Sequence, residues 1–149
     1  MKNFSRVQAV IQEERTGCAI ACVAALAGVS YATARKEAAG LGISAADPAL
    51  WSATGHVRRL LAHFGLRAGR GEKRFTAWDR LPDCALLAIK WHREPTGPAW
   101  HWVVFTRDGA NACVLDSKRA LRTHRRTDFG RMKPKWFIAI DTARHRSPA

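Results

Sequence analysis

The two halves of the chain differ in how apolar and polar residues alternate. From Cys18 to Ala27 the sequence is Cys-Ala-Ile-Ala-Cys-Val-Ala-Ala-Leu-Ala, which is rich in helix formers and apolar nearly all round. This pattern predicts a helix that is buried on most faces. Thr16 or Gly17 is expected to cap its start, and Gly28 is expected to end it.

Two further helices are predicted in the N-terminal half. Residues 30–39 form a more amphipathic segment that the glycine-containing residues 40–42 close. Apolar residues then recur at helical spacing over residues 49–64, and Gly65 supplies a stop.

The C-terminal half carries short runs of β-branched and aromatic residues instead. Strands are predicted over residues 85–91, 100–106, 111–116 and 135–140. Turn signals separate them at residues 95–98 and at Asp108-Gly109, and the second turn is expected to close a hairpin. This order predicts an α+β fold in which N-terminal helices pack on a C-terminal antiparallel β-sheet.

The chain is predicted to form one domain, residues 1–149. This length suits a single core. A content of 47% hydrophobic and 25% charged residues excludes the disordered and fibrous classes. Only residues 144–149, at the basic C-terminus, are predicted to form a loose tail.

The distribution of apolar residues and cysteines bears on the location of the protein. The longest apolar run, residues 19–29, is about half of what a membrane span requires, and the N-terminus lacks the order of a signal peptide. No membrane span and a cytoplasmic location are therefore predicted. The four cysteines lie in apolar segments, which predicts reduced thiols rather than a disulfide framework. They are Cys18, Cys22, Cys84 and Cys113.

The formal net charge of +13 is concentrated in the last part of the chain, where residues 118–149 carry ten basic and two acidic side chains. Such a region favours an acidic partner, which leaves nucleic acid, an anionic membrane surface and an acidic polypeptide open. The basic run from Arg119 to Arg126, with Trp136 for stacking, is a candidate phosphate-contacting stripe. No nucleic-acid reader motif accompanies it, and such runs are more often solvated faces.

Cys18 is the main candidate for chemistry. It opens the apolar helix, where unpaired backbone amides and the positive end of the helix dipole stabilise a thiolate. The same geometry directs its backbone amide at an oxyanion, for which the Gln12 side chain is the candidate second donor.

His101 and Asp116 are the candidate base and orienting group for that thiol. In a hairpin that turns at residues 108–109, Asp116 approaches the His101 end of the neighbouring strand, where a carboxylate fixes the imidazole tautomer. Strand alternation places Trp100 and Trp102 on the face opposite to His101, and the two tryptophans are expected to exclude solvent near the histidine.

Two segments carry the candidate residues in sequence. The first is Gln12-x5-Cys18 followed by Ala-Ile-Ala-Cys-Val-Ala-Ala-Leu, and the second is His101-Trp-Val-Val-Phe with Asp116 after a turn. Their order and spacing resemble those of the C39 peptidases, the papain-like domains that trim double-glycine leader peptides from bacteriocins before export. The resemblance implies a papain-like fold and a bacterial cysteine peptidase. Cys18 would be its nucleophile, His101 its base, Asp116 the orienting residue and Gln12 the oxyanion-hole residue.

The resemblance also implies the partners of the domain. The substrate would be a peptide or protein, and the positive charge of the chain favours an acidic one. No cofactor is required. The family usually has glycine after the cysteine and proline after the aspartate, whereas this chain has Ala19 and Ser117. The domain is expected to stand alone, without the membrane-spanning and nucleotide-binding parts of leader peptidases.

Other interpretations of the same residues stay open. Cys18 is compatible with an ordinary buried thiol, which Cys22 is expected to be. A zinc site built from Cys18, Cys22 and His101 lacks the paired spacing of structural zinc sites, so no metal is predicted. A papain-like site also supports deamidation or acyl transfer, and such a domain can hold a peptide without catalysis. Surface or packing roles are predicted for His56, His63, His92, His124 and His145, and core positions for Cys84 and Cys113.

Overall fold

The computed structural model of the protein describes residues 7–141. Its helices are α1 (Cys18–Ala27), α2 (Tyr31–Gly40), α3 (Ala49–Ser52), α4 (Gly55–His63) and α5 (Phe129–Met132), and a short 3₁₀ turn covers Trp78–Arg80. Its strands are β1 (Lys73–Arg74), β2 (Cys84–Glu94), β3 (Gly97–Asp108), β4 (Asn111–Leu115), β5 (Arg125–Arg126) and β6 (Trp136–Ala139). The predicted loose tail and His145 lie outside the described residues.

The strands form one sheet in the order β1-β6-β2-β3-β4-β5, and every neighbouring pair is antiparallel. Helices followed by this sheet confirm the predicted α+β class. The hairpin between β3 and β4 is also confirmed, since Asp108 pairs with Asn111 across the turn and Gly109 takes a φ of 61°. A positive φ of this kind is readily available to glycine, which explains the Asp-Gly signal.

The predicted buried helix is α1, in which nine of ten residues are buried. Gly28 ends it in the left-handed conformation, with its N–H directed at the carbonyls of Ala24 and Ala25. Gly17 is the N-cap residue, so no side-chain hydrogen bond caps the start of α1. Thr16, the other predicted cap, instead donates its hydroxyl to the carbonyl oxygen of Ala45 at 2.6 Å.

The prediction of a single helix over residues 49–64 is wrong, because this segment forms two helices, α3 and α4. Ala53 is extended between them, with φ −154° and ψ 170°. The indole Nε1 of Trp102, on β3, donates to the carbonyl oxygen of Leu50 at 3.1 Å. A continuous helix would use that carbonyl for its own i to i+4 bond. A tertiary contact therefore replaces a helical one at the break.

The two central strands are longer than predicted, and two short strands were not predicted at all. β2 and β3 extend past the predicted residues 85–91 and 100–106 towards their shared turn. The strands β1 and β5 have two residues each, too few for any alternation of apolar residues to mark them. They pair with β6 and β4 at the two edges of the sheet.

Apolar side chains cover both faces of the sheet. On one face, Trp102 and Val104 belong to the larger core that contains the residues of α1 and α4. On the other face, Val103 and Phe105 pack with Met132 and the adjoining aromatic residues. This division confirms the alternation predicted for β3. It also places the start of α1 against the strand that carries His101.

Among the described residues, no single helix is long and apolar enough to cross a membrane. Only α1 and α2 taken together satisfy that criterion, and these two helices are bent by 110° relative to each other.

Candidate active site

The structure brings Cys18, His101 and Asp116 into one connected chain of side chains. Cys18 is the first residue of α1, and its sulfur accepts a hydrogen bond from the backbone N–H of Trp102 at 3.4 Å. The neighbouring residue on β3 is His101, and the interaction between its side chain and Cys18 contributes to the raised pKa of the imidazole. The sulfur is thus in contact with the strand that carries the imidazole.

The imidazole of His101 is bonded on its other side to Asp116. Its Nε2 lies 2.6 Å from Oδ1 of Asp116. The hairpin register accounts for this contact, because Val104 pairs with Leu115 and places the next residue, Asp116, beside the His101 end of β3. The side chain of Asp116 is fully buried, and that of His101 is 12% exposed. The carboxylate is therefore placed to fix the tautomer and the orientation of the ring.

The pKa of His101 reflects this double contact. Burial by itself would lower the pKa, because it disfavours the charged imidazolium. The interactions with Asp116 and Cys18 act in the opposite direction and raise the pKa of His101 from 6.5 to about 9. The imidazole is consequently protonated at neutral pH.

Asp116 has a second cationic partner that the sequence did not reveal. Burial would raise the pKa of Asp116, but hydrogen bonds from His101, from the Lys118 backbone N–H and from Arg126 hold it below its usual value. Arg126 NH1 donates to Oδ2 of Asp116 at 2.9 Å, while its Nε and NH2 donate to the two oxygens of Asp128. These bonds, that to Asp128 above all, raise the pKa of Arg126. The guanidinium keeps the carboxylate ionised.

The backbone of Asp116 is held by His124. The N–H of Asp116 donates to the carbonyl oxygen of His124 at 2.8 Å, and Nδ1 of His124 lies 2.9 Å from the carbonyl oxygen of Asp116. His124, predicted to be a surface or packing residue, therefore fixes the position of the segment that presents the carboxylate.

Gln12, the predicted oxyanion donor, is buried close to this segment and fully hydrogen-bonded. Its Nε2 donates to the carbonyl oxygens of Glu14 at 2.9 Å and of Arg15 at 3.1 Å. Its Oε1 accepts the hydroxyl proton of Ser117 at 2.7 Å, and its backbone N–H donates to the Ser117 carbonyl. In this state the amide shapes the loop before Cys18. It can reach an oxyanion only if one of the two Nε2 bonds is exchanged.

The loop before Cys18 is also held to α2. Tyr31 donates its hydroxyl to Glu14 at 2.5 Å, and Arg35 forms an ion pair with the same carboxylate at 2.9 Å. A Cβ on Gly17 would clash with the Tyr31 hydroxyl oxygen, so a larger residue at this position requires Tyr31 to move. Burial and the Glu14 carboxylate raise the pKa of Tyr31. The position of Cys18 is therefore fixed from its N-terminal side.

Cys18 itself has no exposed surface in this structure. Beside it, Arg15 spans from the loop to the end of the β2–β3 hairpin, where its NH2 donates to Glu94 at 3.1 Å. Its guanidinium also lies over the ring of Trp51 at 4.9 Å, and Trp51 makes an edge contact with His92. A reagent or substrate reaches the sulfur only when the groups around it move.

The two tryptophans expected to exclude solvent near His101 are both buried. Trp100 and Trp102 make edge contacts with each other and with Trp136, at centroid distances of 5.8, 4.7 and 5.2 Å. Trp136, the predicted stacking residue of the basic stripe, is therefore part of this aromatic cluster and partly buried. The indole N–H of Trp100 is buried and has no acceptor among the described residues.

The remaining cysteines and histidines have ordinary environments. Cys22, Cys84 and Cys113 are buried, as predicted. Burial raises the pKa of the Cys22 thiol well above its usual value, and the neighbouring Cys18 and Asp116 raise it further. The side chains of His56, His63 and His92 pair with nearby carboxylates.

The other candidate sites find less support in the contacts. Within residues 7–141, no group of three or more His, Cys, Asp or Glu is arranged to hold a metal ion. Two arginines of the basic run are engaged in the protein itself, since Arg126 binds Asp116 and Arg125 donates to the carbonyl oxygen of Val7.

Comparison with known proteins adds no family. No protein-family model, curated protein or solved structure matches the chain. The geometry of the site is therefore the basis for any functional conclusion.

Proposed function

We propose that the protein is a papain-like cysteine peptidase in which Cys18 is the nucleophile. The observation that carries this proposal is the 2.6 Å contact between His101 Nε2 and Asp116 Oδ1, on the strand whose next residue, Trp102, bonds the Cys18 sulfur through its backbone N–H. A thiol at a helix start, an imidazole on an adjacent strand and a carboxylate behind it are the three groups that thiol-dependent acyl transfer requires.

The protonation of His101 supports this role. With a pKa of about 9, the imidazole carries a positive charge at neutral pH. An imidazolium in contact with a sulfur stabilises a thiolate, as the positive end of the α1 dipole also does. The same proton is available for the leaving group, which an imidazole on an isolated surface would not hold at this pH.

The proposed reaction begins when the thiolate attacks the carbonyl carbon of the substrate. The carbonyl oxygen becomes an oxyanion, which the Cys18 backbone N–H stabilises at the start of α1, where helix N–H groups lack intrahelical acceptors. His101 gives its proton to the leaving amine, the C–N bond breaks and a thioester remains. Water then attacks the thioester with His101 as base, which releases the acid and restores the thiol.

Gln12 is the proposed second oxyanion donor. Its Nε2 is close to the loop that precedes Cys18, and it is bonded to the carbonyls of Glu14 and Arg15. Because Cys18 is buried, substrate binding requires groups around it to move. The proposal is that the same movement exchanges one of these bonds for a bond to the oxyanion.

Two experiments test the proposal: one identifies the reactive thiol, and the other identifies the products that the protein forms. An epoxide inhibitor should modify Cys18, as mass spectrometry of the digested protein would show. Incubation with a peptide library should yield cleavage products. A mass change of about one unit in glutamine-containing proteins would instead indicate deamidation by the same groups.

Two variants with the same side-chain change provide the comparison. Cys18→Ala should abolish both labelling and product formation, whereas Cys22→Ala, one helical turn further on, should keep both. Labelling or cleavage that persists in Cys18→Ala would show that another group is the nucleophile.

A further inference from the structure

The guanidinium of Arg15 occupies a site formed by Trp51 and Glu94. Arg15 lies in the loop before α1, Trp51 lies in α3, and Glu94 is the last residue of β2. One terminal nitrogen of the guanidinium donates to both carboxylate oxygens of Glu94, at 3.3 and 3.1 Å. The central carbon of the guanidinium lies over the Trp51 ring, 4.9 Å from its centroid. A carboxylate beside an aromatic ring is a combination that binds guanidinium groups in proteins.

Trp51 and Glu94 are held in place without Arg15. His92 contacts both of them, since its Nε2 is 2.8 Å from Oε2 of Glu94 and its ring makes an edge contact with Trp51 at a centroid distance of 5.4 Å. Nδ1 of His92 is 2.7 Å from the carbonyl oxygen of Lys90, which orients the ring. Trp51 also packs against the larger core. The site therefore keeps its shape when the guanidinium leaves.

The contact of Arg15 with this site is weak enough to be exchanged. The side chain of Arg15 is 73% exposed, and that of Glu94 is 18% exposed. An ion pair with such an exposed member contributes little to stability, because water competes for the charge. The loop that contains Arg15 leads directly to the buried Cys18, and groups around the sulfur must move before a substrate binds. Arg15 can leave the site in that movement at little cost.

The site is also close to the nucleophile. Arg15 precedes Cys18 by three residues, so their Cα atoms are at most about 11 Å apart. A substrate residue within about three positions of the cleaved bond lies at a similar distance from the sulfur. A side chain as long as that of Arg15, on such a residue, is therefore able to reach Trp51 and Glu94.

We infer that Trp51 and Glu94 form a binding site for an arginine side chain of the substrate, which Arg15 fills in the covered state. The inference rests on the proposed function, since it assigns a side-chain preference to the same site. The guanidinium bound there in this state indicates which group the site fits. The net charge of +13 favours a substrate that is acidic as a whole, and Glu94 provides for one basic residue within it.

Binding is measured without catalysis by NMR titration, following the indole N–H of Trp51 and the backbone amide of Glu94. The probe is N-acetylarginine amide, and N-acetylcitrulline amide is a neutral counterpart of nearly the same shape. In Arg15→Gln the site is free, so the arginine compound should bind about threefold more tightly than in the wild type. In this variant it should also bind about fivefold more tightly than the citrulline compound.

Carboxylate variants locate the binding. In the Arg15→Gln background, the isosteric change Glu94→Gln should remove the preference for the arginine compound. Glu72→Gln is the matched control, because Glu72 also pairs with an arginine, Arg58, at 2.9 Å. This control should leave the preference unchanged. Equal binding of the two compounds, an equal loss in Glu72→Gln, or the same affinity in the wild type and Arg15→Gln would overturn the inference.

A second measurement relates the site to the reaction. Peptides that the wild type cleaves are prepared with arginine or with citrulline at each of the three positions on either side of the cleaved bond. Arginine at one position should give a kcat/KM about fivefold higher, and Glu94→Gln should remove this difference. No preference at any position would overturn the inference and leave the proposed function intact. If the arginine compound binds through Glu94 but Cys18 catalyses no reaction, the proposed function fails while the binding site stands.

Discussion

Arg126 NH1 donates to Oδ2 of Asp116 at 2.9 Å, the carboxylate oxygen that His101 leaves free. The Asp116 side chain is fully buried and that of Arg126 is 13% exposed. The carboxylate is thus held between an imidazole and a guanidinium, with little water available to replace either. Arg126 in turn is held in place by Asp128. The orientation of His101 therefore depends on a residue of the edge strand β5.

Arg126→Ala should destabilise the protein by about 2 to 4 kcal/mol, because it leaves a buried carboxylate with one cationic partner fewer. The measurement is urea unfolding at neutral pH. Arg122→Ala, which removes an exposed arginine of the same basic run, should change the free energy of unfolding by less than about 0.5 kcal/mol. Equal effects of the two substitutions would mean that the contact with Asp116 contributes nothing specific.

The pH dependence of the reaction should follow the protonation of His101. Its pKa is raised to about 9, so the imidazolium that protonates the leaving amine is present at lower pH and is lost as the pH rises through that value. kcat/KM on a cleaved library peptide should accordingly fall on the alkaline side near pH 9. Asp116→Asn removes the carboxylate that raises this pKa, so the alkaline limb should move to lower pH. A limb at the same pH in both proteins would assign it to another group.

Ser117→Ala should loosen the Gln12 amide. The substitution removes the 2.7 Å bond to Gln12 Oε1 and leaves a buried acceptor without its donor. A loss of about 1 to 2 kcal/mol in the free energy of unfolding is expected, together with a lower kcat/KM if Gln12 assists the oxyanion. Ser52→Ala breaks an exposed hydrogen bond to Pro48 and serves as the control, with a change below about 0.5 kcal/mol. Identical behaviour of the two variants would exclude a special role for Ser117.

Gly17→Ala should be destabilising by about 1 to 3 kcal/mol, because its methyl group would meet the Tyr31 hydroxyl at 2.2 Å. The penalty should be smaller in a Tyr31→Phe background, where the hydroxyl is absent and the nearest ring carbon would lie 3.3 Å away. Thermal unfolding of the two single variants and the double variant measures this coupling. Additive effects would contradict the steric explanation.

The parts of the site that the sequence predicted are those determined by local patterns. The composition of residues 18–27 is sufficient to place Cys18 at the start of a buried helix. The Asp108-Gly109 turn sets the register of the hairpin, and this register brings Asp116 to His101. Each of these relations depends on residues that are close in the chain.

The parts that were missed depend on contacts between distant segments. Arg126 lies in a two-residue strand without any periodic pattern, and only its pairing with β4 places it near Asp116. The break at Ala53 follows from the bond between Trp102 and Leu50, which are far apart in sequence. Ser117 stands where the family resemblance expects proline, and no local pattern indicates that its hydroxyl bonds Gln12. The sequence signal for this bond is the polar residue directly after the candidate aspartate.

The most direct test of the account is the rate at which iodoacetamide alkylates Cys18 as a function of pH, in the wild type and in His101→Ala. An imidazolium beside the sulfur favours the thiolate, which is the form that iodoacetamide alkylates. We predict that the alkylation rate at neutral pH falls at least about tenfold in His101→Ala. The same pH profile in both proteins would contradict the proposal that Cys18 and His101 act as a pair.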